Sequence, residues 1–155
     1  PRRGETFVTK KIVSALCKIK IGKQKKLYLG NLNAKRDWGH ARDYCYAMWK
    51  ILQQKKPDDY VIATGVQYSI KQFINKTANQ LKMKLTWKGK GLKEKAYNDK
   101  GIPVIECNKN YFRPLDVNTL IGDAKKARKK LNWKPSVKIE DLIKEMIEFE
   151  FKFLQ

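Results

Sequence analysis

The chain has 155 residues, a length that suits one domain with a moderate core. Hydrophobic residues make up 42% and charged residues 32%, which excludes a disordered tail, and no apolar run approaches the roughly 18 residues of a membrane span. Net charge is +20, a balance that ordinarily points to nucleic acid or anionic lipid. Residues 5–21 read as a helix, with Val8, Ile12, Ala15, Leu16 and Ile19 on one stripe and Gly22 as its stop. A short strand is expected over 27–31, and a polar loop, 32–35, leads into Arg36-Asp37-Trp38-Gly39-His40. The spacing predicts a second helix over 41–54 with Tyr44, Met48, Ile51 and Leu52 inward, then a turn at Pro57-Asp58-Asp59. The continuous apolar run 60–64 reads as a strand buried on both faces of a parallel sheet. Ser69 is a candidate N-cap for a helix to about Leu81, with Phe73, Ile74, Thr77, Ala78 and Leu81 buried. Strands are expected at 85–87 and 103–107, with 88–101 as an exposed Lys- and Gly-rich excursion. Tyr111-Phe112-Arg113-Pro114 reads as a loop. Asp123 caps a helix over 124–131, Trp133-Lys134-Pro135 ends it, and a last helix runs from Ile139 to about Phe153.

Strands and helices alternate, so the class is α/β. Pro1 is not a Met and follows no signal segment, and the chain is expected to be one piece of a longer gene product. The cysteines Cys17, Cys45 and Cys107 are odd in number and widely spaced, and with the single His40 they form no zinc or disulfide pattern, so no metal is expected. There is no Gly-rich phosphate turn, no Ser or Cys nucleophile motif and no paired-carboxylate motif. The positive charge consists of 29 lysines spread over nearly every segment, which reads as solvated faces rather than a nucleic-acid interface. The six arginines say more, because only arginine offers a planar fork that grips phosphate bidentately. Among them Arg128, inside a helical lysine run, reads as a surface residue.

Six segments in order carry a resemblance: Pro1-Arg2-Arg3-Gly4-Glu5-Thr6-Phe7-Val8-Thr9, Tyr28-Leu29-Gly30-Asn31, Arg36 to Tyr44, Ala63 to Ser69, Tyr111-Phe112-Arg113-Pro114, and Leu131-Asn132-Trp133-Lys134-Pro135. Together they resemble the C-terminal part of the GDP-mannose 4,6-dehydratase family of extended short-chain dehydrogenases/reductases. The resemblance implies a small nucleotide-sugar-binding domain plus a remnant of the parallel sheet of a Rossmann-type fold. Residues 1–155 would then be a single incomplete unit whose NADP-binding N-terminal part lies upstream. It implies a soluble cytoplasmic homo-oligomer, dimer or tetramer, that uses bound NADP to convert GDP-mannose to GDP-4-keto-6-deoxymannose, on the way to GDP-fucose and other deoxyhexoses. The family's catalytic Tyr, Lys, Thr and Glu fall upstream of Pro1, so no catalytic residue is expected in this chain.

By the same resemblance Arg3 contacts NADP, Val8 and Lys11 pack and hydrogen-bond the guanine, and Arg36 and Arg113 bracket the diphosphate and ribose. Asp116 stands where the family carries a carboxylate, usually Glu, for a ribose hydroxyl. Each has a plainer reading: a solvated terminus for Arg3, core for Val8, surface for Lys11, an ion pair with Asp37 or Asp43 for Arg36. His40 is expected to order the Arg36 loop, with Asp37, Trp38 and Tyr44, rather than act as a base. A related nucleotide-sugar epimerase or reductase is the alternative, and a basic nucleic-acid-binding module a more distant one.

Overall fold

The computed structural model describes residues 1–112 and 117–154. In chain order it contains α1 (Val8–Lys20), β1 (Leu27–Leu29), β2 (Lys35–Asp37), α2 (Ala41–Leu52), β3 (Gln67–Ser69), α3 (Ile70–Gln80), β4 (Thr86–Lys88), β5 (Lys95–Tyr97), β6 (Pro103–Cys107), α4 (Lys125–Leu131) and α5 (Ile139–Leu154). Single 3-10 turns stand at Gly91–Lys93 and Lys109–Tyr111. The larger sheet has the order β1-β6-β5-β4, with β1 parallel to β6 and the other pairs antiparallel. A second sheet pairs β2 with β3 antiparallel, Arg36 opposite Tyr68.

The main core lies between α1, α3, α5 and the four-stranded sheet. Ile12, Val13, Leu16, Phe73, Ile74, Ile105 and Ile143 are all fully buried within it. α1 is enclosed on most of its circumference because α5 and α3 pack against it from two sides. Even Lys10 is buried there, paired with Glu150 of α5. A buried pair of this kind adds little net stability, because the cost of desolvating both charges offsets their attraction. Local signals set the helix ends. Gly22, at a φ of +76°, lets the chain leave α1 through a left-handed residue, with Gly22 N–H donating to the Ile19 carbonyl. Ser69 accepts from Gln72 N–H while the Gln72 side chain accepts from Ser69 N–H, a complete capping box. The expected buried face of α3 is buried throughout.

A smaller cluster joins α2, residues 60–63 and α4 through Ala47, Ala63, Ala124, Ala127, Leu131 and Trp133. Asp43 ties it to the start of α5. Its carboxylate accepts from Ser136 N–H and Oγ and from Val137 N–H, and the Trp133 indole donates to its backbone carbonyl.

Several expectations need correction. Met48 and Leu52 of α2 are 61% and 80% exposed, not inward, and the buried positions are Asp43 and Ala47. Tyr44 and Ile51 of the expected face do pack on the smaller cluster, so the buried stripe is rotated toward Ala47, and Met48 and Leu52 fall outside it. Residues 60–64 form no strand, because no neighbouring strand among the described residues offers them a ladder. Residues 88–101 are no featureless excursion. They hold β5, central in its sheet, whose Ala96 is fully buried opposite Ile105. β2 was expected as loop; its charged triplet has no apolar alternation and is held by β3 and by Lys35 N–H donating to the Asn118 carbonyl. Glu5 to Phe7 precede α1 rather than join it.

Candidate functional site

Two clefts share the Phe7–Val8 rim at the start of α1. The smaller, about 460 Å3, is lined by Val8 and Lys11 of α1, Leu29-Gly30-Asn31 after β1, Arg36 of β2, Ile70 and Tyr111. Val8, Lys11 and Arg36, expected together as substrate-binding residues, thus come from two separated elements to one cavity. Backbone geometry makes this possible at Gly30. A Cβ there would lie 2.1 Å from the Tyr111 carbonyl oxygen, so only glycine lets the Lys109–Tyr111 turn close the cleft.

Each side chain has a definite environment. Val8 is half-buried and packs on the core, so its core reading holds beside its place in the cleft wall. The Lys11 ammonium sits 3.6 Å from the centre of the Tyr111 ring, and partial burial draws it below the ordinary lysine range. Arg36 donates through Nη1 to the carbonyls of Lys35, at 2.7 Å, and Val117, at 2.5 Å. Its backbone is held in the β2–β3 ladder, so the guanidinium projects from a fixed base. Arg113 and Asp116, expected in the same grip, lie outside the described residues. Tyr111 is on the cleft wall.

Asp37 and Asp43 each make bonds of their own to other segments. Asp37 accepts from Thr64 N–H, Thr64 Oγ1 and Gly65 N–H, anchoring the end of the 60–64 run. Burial alone would raise the Asp43 carboxyl, but the bonds from Ser136 and Val137 hold it below the usual range. His40 caps α2 by accepting the Arg42 N–H at Nδ1, which leaves Nε2 to donate to Glu145 of α5, 2.9 Å away. Trp38 packs on Phe73 at 5.0 Å. The Tyr44 hydroxyl takes a bond from the Gly39 backbone and is raised in pKa by burial and by Asp37 and Asp43. His40, Asp37, Trp38 and Tyr44 therefore order the turn that follows Arg36.

Arg3 stands on the other side of the Phe7–Val8 rim. Its guanidinium lies 3.8 Å over the Phe7 ring and opens on the larger cleft, about 880 Å3, with Arg2, Trp38 and His40 also on the wall. Arg128 is not an idle surface residue: its guanidinium donates to the Thr64 carbonyl at 2.9 Å and so holds the segment that Asp37 anchors from the other side. Among the described residues no three His, Cys, Asp or Glu side chains gather as they would around a metal, and no helix is long and apolar enough to cross a membrane.

Residues 1–146 match the family model described as GDP-mannose 4,6 dehydratase. The chain belongs to the GDP-mannose 4,6-dehydratase family. It is 45% identical over its whole length to GDP-mannose 4,6 dehydratase 2 of Caenorhabditis elegans, spanning 41% of that protein. It is 46% identical to the GDP-mannose 4,6-dehydratase of Vibrio cholerae, again over its whole length and 45% of the relative's. The chain thus spans less than half the length of these relatives. Its fold resembles that of RMD from Pseudomonas aeruginosa, solved with NADPH, at a TM-score of 0.78 and 16% identity over 99% of this chain and 45% of that one. A dTDP-glucose 4,6-dehydratase from Bacillus anthracis, solved with NAD, follows at 0.72 and 19% identity over 98% of this chain and 41% of that one. The fold is that of the C-terminal portion of an extended short-chain dehydrogenase/reductase.

Sequence reasoning missed part of this cleft in the family member. Gly30 and Asn31 entered only as pieces of a resemblance, and Tyr111 only as a neighbour of Arg113. The signal for Gly30 was available: a glycine directly after a strand often marks a close backbone approach. Nothing local marked Tyr111 as the partner of Lys11, which lies 100 positions earlier.

Proposed function

We propose that this chain is the nucleotide-sugar-binding part of a GDP-mannose 4,6-dehydratase, which converts GDP-mannose to GDP-4-keto-6-deoxymannose. The observation that carries the reading is the convergence of Val8, Lys11 and Arg36 on one cleft beside Tyr111. Val8 offers an apolar wall for a base, Lys11 a donor for a base carbonyl, and Arg36 a fork for the diphosphate. Arg113 and Asp116 complete the diphosphate and ribose grip in this reading. Arg3, with its guanidinium open on the neighbouring cleft, holds a phosphate of NADP. NADP, when bound, supplies the hydride acceptor and donor of the reaction. The groups that move protons and expel water belong to sequence ahead of Pro1, and the 60–64 run joins the parallel sheet built there. The exposed apolar face of α2 supports that docking.

Calorimetric titration with GDP, on protein produced from the complete gene, tests this. Arg36→Lys keeps the charge and loses the fork, and a hydrogen bond to a charged group is worth roughly 1.5–3 kcal/mol. GDP affinity should fall about tenfold to a hundredfold, with NADP content unchanged. Arg3→Ala should lower NADP retention first. Lys129→Ala, at an exposed position of α4, should alter neither. Equal loss of GDP and NADP in all three variants would show that folding residues had been mistaken for binding ones.

A further inference from the structure

Tyr111 has a role that neither packing nor the family match accounts for. The residue is 52% exposed, so it is not a core side chain. Its backbone is nevertheless closely fixed. Tyr111 N–H donates to the Asn108 carbonyl in the 3-10 turn after β6, and its own carbonyl sits against Gly30, where a Cβ would clash. What the ring meets is Lys11, whose ammonium lies 3.6 Å from its centre, the shortest cation–ring contact among the described residues. The same two residues line both the 460 Å3 cleft and a second one of about 270 Å3 on its far side, which carries Lys18 and Lys26. The Lys11–Tyr111 pair is the wall between these two spaces.

The two members differ in freedom. Lysine is a compact charge on a flexible four-carbon stem, and holding it in one place costs rotamer entropy. The tyrosine has only two side-chain torsions on a backbone held by the turn, so its ring has far fewer positions open to it than the ammonium has. A lysine left free at this wall could swing toward either cleft. A ring face beneath it favours one position by cation–π attraction and leaves the N–H donors free to point away from the ring. Partial burial of Lys11 strengthens the effect, because an ammonium short of water gains more from a ring.

We infer that Tyr111 is a positioning residue that holds the Lys11 ammonium at the wall of the nucleotide cleft, and so determines which base the site accepts. This rests on the proposed function, in which Lys11 donates to a base carbonyl. Guanine presents a carbonyl acceptor where adenine presents an amino donor, so a fixed ammonium favours the first and disfavours the second. Without the ring, Lys11 spreads over both clefts and its discrimination fades, while Val8 and Arg36, which do not read that edge, continue to bind either nucleotide.

The test measures GDP and ADP affinities by calorimetry, on protein from the complete gene, for wild type, Tyr111→Phe, Tyr111→Leu, Lys11→Met and the double variant Lys11→Met/Tyr111→Leu. The ring-keeping Tyr111→Phe should stay within about twofold of wild type. Tyr111→Leu should weaken GDP about threefold to thirtyfold, the span of cation–π contacts, with ADP unchanged. In the Lys11→Met background the leucine substitution should add nothing, because the pair acts as a unit. Equal weakening of GDP and ADP, an undiminished effect without Lys11, or an unchanged GDP preference in Tyr111→Leu would each overturn the inference. An independent reading comes from proton spectra of the wild type: the Lys11 ε-methylene, held over a ring face, should be shifted upfield relative to the other lysines. Its absence overturns the inference even if Tyr111→Leu does not fold. Wild-type protein that binds no GDP removes the proposed function and this inference together. Wild-type preference for GDP that persists in Tyr111→Leu removes this inference alone.

Discussion

The two hydrophobic clusters of this chain are built to different degrees of closure. The main one encloses α1 between α3, α5 and the four-stranded sheet, and its largest side chains have no exposure to solvent. The smaller one, around α2 and α4, is assembled mainly from alanines with Leu131 and Trp133, and its helix α2 turns Tyr46, Met48, Trp49 and Leu52 outward. Tyr46 and Trp49 even stack on each other on the outside, 5.7 Å apart. A closed core gains its stability from within. A half-covered one is held by directed polar contacts: Asp43 to the start of α5, Asp37 and Arg128 to the 64–65 turn. The difference also separates the jobs of the two regions. The smaller cleft takes α1, the end of β1 and Ile70 from the closed side, and borrows Arg36 from the strand that leads toward the open one.

The largest effect should come from the closed side. Phe73→Ala removes a fully buried ring and should cost about 3–5 kcal/mol, read from the midpoint of urea unfolding. Thiol labelling locates the loss. Cys17, buried in that core with its pKa pushed up to about 12 by burial and the Glu150 charge, should resist iodoacetamide while Cys45 on α2 reacts at once. In Phe73→Ala the Cys17 rate should rise roughly 100-fold or more with Cys45 unchanged. Parallel acceleration of both thiols would mean that the clusters unfold as one.

The next effect concerns Asp43. Asp43→Ala removes the acceptor for Ser136 and Val137 and should cost about 1.5–3 kcal/mol, since bonds to a charged group are the stronger ones. Its folded pKa is depressed, so the stability it confers is present in full above the unfolded carboxylate value, about pH 4, and is lost as pH falls through the folded one. Wild type should therefore lose stability below about pH 4 more steeply than Asp43→Asn, as followed by circular dichroism. Identical acid profiles would remove Asp43 as the link between α2 and α5.

Arg128→Ala should cost less, about 1 kcal/mol, because its bond to the Thr64 carbonyl is made at an exposed site. Its mark should be faster amide exchange at Gly65, with the main core unaffected. Smallest of all should be Leu52→Ser, within about 0.5 kcal/mol for residues 1–155 on their own. The same substitution should cost clearly more in protein from the complete gene, where α2 is proposed to be covered. Equal, small effects in both settings would make the open face of α2 a true outer surface.

What the residues determined by themselves was everything decided within about one helical turn or one strand. The Ser69–Gln72 capping box, the Gly22 stop, the buried stripe of α3, the span 103–107 and the long helix from Ile139 all follow from neighbours a few positions apart. The resemblance motifs likewise singled out Val8, Lys11 and Arg36 before any geometry was known. Tertiary structure alone decided the rest, because pairing and burial are properties of two segments. β2 is a strand only through β3, and β5 only through β4 and β6, while 60–64, apolar enough for a strand, is none because no strand among the described residues pairs with it. Met48 and Leu52 on α2 face outward while Tyr44 and Ile51 pack inward, because burial depends on what stands opposite, which spacing does not encode. Arg128 is tied to Thr64, and Lys11 to Tyr111, by a fold that brings together residues 64 and 100 positions apart.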